Sequence, residues 1–171
     1  MTSLNLKCTT GRTRAPNDKS KESDRNTHLR STEDFKWESV PVLVYKEDAS
    51  HFKDITRQVL FDGDPRLPCQ LRYFEIADGG HSTLERHEHL HVVMIIRGSG
   101  KALVGDSILH LEYMDVVRIP ALTWHQFRAT DGLPFGFLCI VNTDRDKPSL
   151  PDVEALDLLR RDPHVAEFIR P

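Results

Sequence analysis

The chain has 171 residues, of which 39% are hydrophobic and 29% are charged, and its formal net charge is -3 at pH 7. This length suits one domain with a tail and leaves little room for a second full domain. The slightly acidic balance, without a basic stripe, speaks against a nucleic-acid-binding domain. No apolar run approaches the roughly 20 residues that a helix needs to cross a bilayer, so the sequence predicts a soluble protein without membrane contact.

Residues 1–34 are polar, charged and almost free of aromatic side chains. Such a composition buries too little apolar surface to offset the entropy lost on ordering, so we predict a disordered N-terminal tail. The part before Asp18 carries Lys7, Arg12 and Arg14 and no acidic residue, which also resembles an organelle transit peptide. Both interpretations stay open at this point.

Residues 35–145 consist of short apolar stretches broken by turn residues, a pattern typical of strands. Glycines at Arg97–Gly100 and at Gly105–Asp106 suit hairpin turns. In chain order, the predicted strands lie within 40–46, 55–62, 69–77, 82–87, 91–106, 107–113, 115–120, 125–130 and 136–143. About nine or ten short strands predict an all-β sandwich or barrel.

Residues 146–171 have a helical pattern. After Pro151, the spacing of Val153, Leu156 and Leu159 places their side chains on one helix face. Residues 165–170 add another turn or two. We expect these short helices to cap the barrel or to contact a partner subunit.

The cysteines indicate the compartment. Cys8, Cys69 and Cys139 are odd in number and widely spaced, which fits reduced thiols better than a disulfide framework. The sequence therefore predicts a cytoplasmic protein.

Histidines suggest a metal site. Nine are present, and His87, His89 and His91 lie close together, with His125 further on. Imidazole and carboxylate ligands suit divalent manganese, iron, nickel or zinc. In a strand Glu85 and His87 face the same side, and burying several unpaired imidazoles with a carboxylate is costly unless a metal ion neutralises them. The alternative, histidines that are only hydrogen-bonded, stays open.

Gly79, Glu85, His87, His91 and Gly98 resemble the first motif of the cupin superfamily, whose spacing is Gly, five residues, His, one, His, three or four, Glu, six, Gly. Glu85 stands where the family has its first His, and His91 stands where it has Glu. The resemblance implies an all-β, single-domain cupin (jelly-roll) barrel, spanning residues 35–145, with Glu85, His87 and His91 as metal ligands. His89 falls in the turn between two strands and is kept as a reserve ligand.

The second cupin motif is present in weakened form. Pro120 and His125 match it, which implies that His125 is the remaining metal ligand. Met114, Leu122 and Ala129 stand where the family has Gly, Gly and Asn. The departures from the family pattern therefore concern the turns around His125 and not the ligand itself.

Residues 71–89, 119–129, 136–142 and 145–151 are similar to a bacterial cupin subgroup, the 1-methylthio-xylulose 5-phosphate methylsulfurylases. This resemblance implies a metal-dependent enzyme of methionine salvage that removes the methylthio group of a sugar phosphate to give 1-deoxyxylulose 5-phosphate. A thiolate is the natural acceptor of the sulfur, and Cys139 lies in a strand expected to line the barrel. Glutathione is the expected thiol co-substrate.

Other interpretations remain open. The same ligand set suits a metal-dependent dioxygenase, and a non-catalytic cupin that binds a small ligand is also compatible. Cys139 has the alternative role of a small buried hydrophobe. The resemblance and the commonness of two-fold oligomers predict a homodimer. The expected phosphate ligands are nearby arginines, namely Arg72, Arg86, Arg97, Arg118 and Arg128.

Overall fold

The computed structural model describes residues 28–44 and 51–171, and strands dominate the unit formed by Ser31–Pro171. Most of the predicted disordered tail, up to residue 27, lies outside the described residues, as do residues 45 and 46 of the first predicted strand. The part of the tail that is described contains one short 3-10 turn, Glu33–Phe35.

The strands of the described residues belong to one sheet that curls into a half barrel. They are β1 (Leu43–Val44), β2 (Lys53–Phe61), β3 (Cys69–His81), β4 (His91–Arg97), β5 (Gly100–Val104), β6 (Ser107–Leu111), β7 (Val116–Ile119), β8 (His125–Arg128) and β9 (Phe135–Asn142). The order across the sheet is β6-β5-β8-β3-β9-β4-β7, with β2 also paired to β3 and β1 paired to β2. The predicted all-β cupin-type barrel is confirmed.

The long strand β3 organises the sheet, because β2 pairs along one edge and β9 along the other, and its last residue, His81, also pairs with Arg128 of β8. Its side chains alternate between the two faces, as strand geometry requires. Arg72 and Phe74 face the interior and line a cavity. Tyr73 faces the other side, where the rings of Phe35 and Trp37 lie over it with centroids 5.9 and 5.3 Å away.

Part of the interior of the half barrel is filled by apolar side chains. Phe137 lies between two other rings, with its centroid 5.6 Å from Phe74 and 4.6 Å from Phe127. These rings pack with Ile76, Val93, Ile95 and Phe135, all at most 9% exposed, in the main hydrophobic cluster. Phe74, Phe127 and Phe137 also form part of the cavity wall, so the core supports the site directly.

Two short helices follow the sheet, as the sequence predicts: α1 (Val153–Leu159) and α2 (Pro163–Phe168). Val165 and Phe168 of α2 pack with Leu103 of β5 in a second buried cluster. The fully buried Gln126 fastens the chain end, because its Nε2 donates to the carbonyl of Arg170 at 2.7 Å and its Oε1 accepts from the Arg170 amide at 2.8 Å.

The predicted strand at 82–87 is wrong. This segment makes only isolated bridges, between Glu85 and His125 and between Arg86 and Ser149. The chain passes from one neighbour to the next here, so no continuous ladder forms. Within residues 28–44 and 51–171 the longest helix has seven residues, too short to span a membrane.

Candidate metal centre

Three imidazoles converge inside the half barrel. His91 begins β4 and His125 begins β8, while His87 lies in the loop just before β4. Glu85 and His125 exchange both backbone hydrogen bonds, 3.2 and 3.0 Å long, which ties the loop to β8. The ligand atoms of His87, His91 and His125 all lie within 4.8 Å of one another. This separation suits three nitrogens around one ion.

Backbone carbonyls set the tautomers of two of these rings. The carbonyl of His89 lies 2.7 Å from Nδ1 of His87, and the carbonyl of Thr123 lies 2.9 Å from Nδ1 of His125. A carbonyl only accepts, so each Nδ1 carries the proton and each Nε2 keeps a lone pair. Nε2 of His87 and Nε2 of His91 are buried and have no hydrogen-bond partner among the described residues. Within the described part of the chain, a buried acceptor without a partner at His87, beside the unpartnered ring nitrogen of His91, fits a divalent metal ion.

Burial keeps these rings neutral. It lowers the pKa of His91 to about 2 and that of His125 to about 4, and it also lowers the pKa of His87. Positive charge on a neighbouring imidazole adds to the effect in each case. A neutral imidazole is the form that binds a metal. The set is therefore ready to coordinate at neutral pH.

Glu85 lies beside this group. Its Oε1 is 3.9 Å from Nε2 of His125, and it is not one of the three clustered residues. Burial raises the pKa of its carboxyl to about 7, while the charge of Arg72 opposes this shift. Its role as a metal ligand stays a prediction.

His89, the reserve ligand, faces a carboxylate instead. Its Nδ1 lies 2.6 Å from Oδ1 of Asp146, and its ring stacks on that of His87 with centroids 3.7 Å apart. Asp146 also accepts the backbone amides of Glu88 and His89, at 2.9 and 3.3 Å. These hydrogen bonds lower the pKa of Asp146, with the Glu88 amide contributing most. His89 thus lies next to the three clustered imidazoles but outside their group.

Cys139 is in the same cavity, as its strand position predicts. It is 2% exposed, its Sγ lies 3.5 Å from Nδ1 of His91, and Nη2 of Arg72 donates to Sγ at 3.3 Å. Burial raises the pKa of the thiol, and the nearby Arg72 guanidinium opposes that rise. Cys69 and Cys139 are both free thiols, and Cys8 is outside the described residues.

The cavity has a volume of about 580 Å³ and extends from the imidazoles to a basic end. Of the five arginines suggested by the sequence, only Arg72 lines it. Arg86 stacks on Trp124 at 4.5 Å, Arg97 pairs with Glu75 at 2.6 Å, and Arg128 donates to the carbonyl of Phe168. The remaining cationic residues of the wall were not among the phosphate-ligand candidates from the sequence: Arg57, Arg145 and Lys147.

The sequence carried only a faint signal for these three. Arg57 has the same strand parity as Ile55 in β2, which places both side chains on the inner face. Arg145 and Lys147 lie in a polar segment after β9 that reads as an exposed turn. Only the folded chain shows that this segment lines the cavity.

Comparison with known proteins shows which family the chain belongs to. The cupin domain profile matches residues 72–141. A 1-methylthio-D-xylulose 5-phosphate methylsulfurylase from Rhodospirillum rubrum is 51% identical over 136 residues, which cover 79% of this chain and 86% of the relative. The chain belongs to the cupin family.

Solved cupin structures agree. A cupin 2 conserved barrel domain protein from Rhodopseudomonas palustris matches with a TM-score of 0.82 and 49% identity, over 85% of this chain and 100% of that chain. A cupin-2 domain protein from Rhodospirillum rubrum matches with a TM-score of 0.75 and 51% identity, over 78% of this chain and 90% of that chain.

The cupin motif explains two unusual turns. Met114 and Leu122, which replace motif glycines, have φ of 75° and 57°. Gly79 and Gly98 of the first motif also have positive φ, 71° and 61°. The cupin backbone therefore keeps its left-handed turns where this chain has lost the glycine, at some conformational cost. His125 reaches its place despite the weakened motif.

Proposed function

We propose that this cupin removes the methylthio group from 1-methylthio-xylulose 5-phosphate, with glutathione as the thiol co-substrate, to give 1-deoxyxylulose 5-phosphate. The observation that carries the proposal is the position of Cys139, whose Sγ lies 3.5 Å from His91 and 3.3 Å from Arg72 in the cavity that the imidazoles also line. The relative that is 51% identical bears the name of this activity.

His87, His91 and His125 would hold a divalent metal ion, with Glu85 as the fourth candidate ligand. When bound, the ion supplies a Lewis acid that polarises the sugar carbonyl next to the carbon–sulfur bond. Manganese, iron, nickel and zinc all accept this donor set. His89 is not needed as a ligand in this arrangement, because its Nδ1 already bonds Asp146.

Cys139 provides the sulfur acceptor. Its thiolate attacks the methylthio sulfur, a sulfur–sulfur bond forms, and the carbon–sulfur bond breaks with its electron pair remaining on carbon. That carbon takes up a proton and becomes the methyl group of the product, so carbon is reduced while the two sulfurs are oxidised to a disulfide. Arg72 stabilises the thiolate through its donation to Sγ.

Glutathione then restores the enzyme. Its thiolate attacks the methylthio sulfur of the mixed disulfide, Cys139 leaves as a thiolate and is reprotonated, and the methylthio group departs as a mixed disulfide with glutathione. Because Cys139 is 2% exposed, access of glutathione runs through the cavity and not through the outer surface of the sheet.

Replacement of Cys139 tests this reaction. The Cys139→Ser variant should retain bound metal and lose turnover of the methylthio sugar phosphate, because serine cannot form the disulfide. Cys69→Ser is the matched control. Cys69, in β3, is also a free cysteine, but it does not line the cavity. Mass spectrometry of wild type given substrate without glutathione should show one added methylthio group on Cys139. Normal turnover by metal-loaded Cys139→Ser contradicts the proposal.

The position of Glu85, 3.9 Å from His125, favours a second candidate, a metal-dependent dioxygenase that acts on a small organic substrate. Three imidazoles and one carboxylate also suit oxygen activation. An anaerobic assay separates the two functions, since sulfur transfer continues without oxygen and a dioxygenase stops.

A further inference from the structure

Basic side chains gather at one end of the cavity. Arg57, Arg72, Arg145 and Lys147 line it, against the two carboxylates Glu85 and Asp146. Asp146 is already engaged by His89 and by two backbone amides. Positive charge in excess within a concave wall attracts an anion.

Arg72 lacks a complete set of partners. It is 7% exposed, and its Nε is buried without a hydrogen-bond partner among the described residues. Its Nη2 contacts a thiol, which is a weak acceptor. A guanidinium buried in this way is costly unless a ligand supplies an anionic oxygen. The side chain therefore points to a ligand of its own.

Arg145 is held in place by three hydrogen bonds that do not use all of its N–H donors. Its Nη2 donates to Oε1 of Gln70 at 3.0 Å, and its Nη1 contacts the carbonyls of Asn142 and Thr143 at 3.1 and 3.5 Å. A guanidinium has five N–H donors, so at least two of them have no acceptor among the described residues. The contacts fix the orientation of the group and leave an edge available to a ligand.

The two guanidinium groups lie at the same place. Gln70 and Arg72 are two residues apart on β3, so both face the interior, and Gln70 brings Arg145 alongside Arg72. Burial lowers the pKa of Arg145, and the charges of Arg72 and then Arg57 lower it further. Arg57 lies diagonally across from Arg72, because its partner in the ladder is Phe74. Three cations therefore share one corner of the cavity.

We propose that Arg72 and Arg145, with Arg57 beside them, form the subsite for the phosphoryl group of the substrate. Two planar forks match the oxygens of a phosphate better than single ammonium charges do. This inference rests on the proposed function for the sugar that carries the phosphate. Because Arg72 also contacts Cys139, Arg145 is the residue whose replacement separates phosphate binding from chemistry.

Calorimetric binding of unreactive probes tests the subsite. Metal-loaded protein is titrated with D-xylulose 5-phosphate, D-xylulose and inorganic phosphate. Arg145→Ala should weaken binding of D-xylulose 5-phosphate roughly 10- to 100-fold and leave binding of D-xylulose unchanged, as expected for loss of a charge-assisted hydrogen bond. The control, Arg161→Ala, removes an exposed arginine after α1 that does not line the cavity and should change neither. If the alanine variant does not fold, Arg145→Lys takes its place. This variant keeps the positive charge but loses the planar guanidinium, so it should weaken binding of D-xylulose 5-phosphate several-fold.

The outcomes separate two possible failures. Equal affinity of wild type and both Arg145 variants for D-xylulose 5-phosphate overturns the subsite. The subsite is also overturned if inorganic phosphate binds wild type as tightly as D-xylulose 5-phosphate does and the two ligands do not compete. If Arg145→Ala loses affinity for the phosphorylated probe while wild type shows no turnover of the methylthio sugar phosphate, the subsite stands and the proposed reaction fails.

Discussion

Asp146 accepts a hydrogen bond from Nδ1 of His89 at 2.6 Å, across 57 positions of the sequence. The same carboxylate accepts the amides of Glu88 and His89, so one residue after β9 fixes the loop before β4. The carbonyl of His89 in turn accepts Nδ1–H of His87. Asp146 therefore positions a candidate metal ligand without contacting it.

The Asp146→Asn variant tests this link. Loss of the charge removes a strong acceptor from the His87–His91 loop, and partners of this kind typically contribute 10- to 100-fold to metal affinity. We expect the affinity for manganese or cobalt, measured by competition with a chelator, to fall about tenfold. Asp144→Asn changes an exposed neighbour and serves as the control. Equal affinities in the two variants argue against a positioning role.

Loss of an imidazole should have a larger effect. His125→Ala removes one of the three clustered ligand candidates, so metal affinity should fall by at least about 100-fold, more than the loss of a supporting contact costs. His81→Ala is the control, because His81 does not line the cavity. Elemental analysis after loading and dialysis measures the result. Full metal occupancy in His125→Ala would show that the cluster is not the binding site.

The pH dependence of metal affinity tests Glu85. Burial raises the pKa of its carboxyl to about 7, so a metal ion that uses this oxygen must displace a proton below pH 7. We expect the affinity of wild type to fall about tenfold from pH 8 to pH 6, the factor for one group that titrates at 7. The imidazoles should not contribute, since burial lowers the pKa of His125 to about 4 and that of His91 to about 2.

Glu85→Gln is the comparison for that experiment. Glutamine has no titrating proton, so the variant should bind more weakly at pH 8 and show a flat profile between pH 8 and pH 6. Isothermal titration at the two pH values gives both slopes. Parallel profiles for the two proteins would remove Glu85 from the ligand set.

Met114→Gly should stabilise the fold. Met114 is 54% exposed and has a φ of 75°, a conformation that costs a residue with a side chain about 1 kcal/mol. Glycine relieves this cost, and part of the gain is offset by greater freedom in the unfolded state. We expect the free energy of unfolding, measured by urea denaturation, to increase by about 0.5 kcal/mol. Tyr113→Gly, at an adjacent position without positive φ, should lower it.

Sequence patterns predicted most of the sheet. Alternation of apolar residues located β2 to β9, and the glycines near residues 98 and 105 located the turns. The pattern failed at 82–87, since alternation there reflects side chains that face the cavity in a segment without a continuous ladder. Spacing also brought His87, His91 and His125 into one hypothesis, and the structure places their ligand atoms together.

Apart from Arg72, little in the sequence indicated the basic end of the cavity. Arg57 and Arg145 are 88 positions apart, and each has the local context of a solvated charge. Arg86, Arg97 and Arg128 are nearer to the histidines in sequence and yet contact Trp124, Glu75 and Phe168 instead of the cavity. Proximity along the chain was a poor guide, because neighbouring strand residues alternate between opposite faces.

The sequence by itself determined most of the strands, the turns and the grouping of His87, His91 and His125, because these depend on local periodicity and on the spacings of two short motifs. Only the tertiary structure decided which side chains share the cavity, such as Arg145 beside Arg72 and Asp146 beneath His89. Those contacts arise when a curled sheet brings distant strands together, and closure of the sheet leaves no signature in any single stretch of residues.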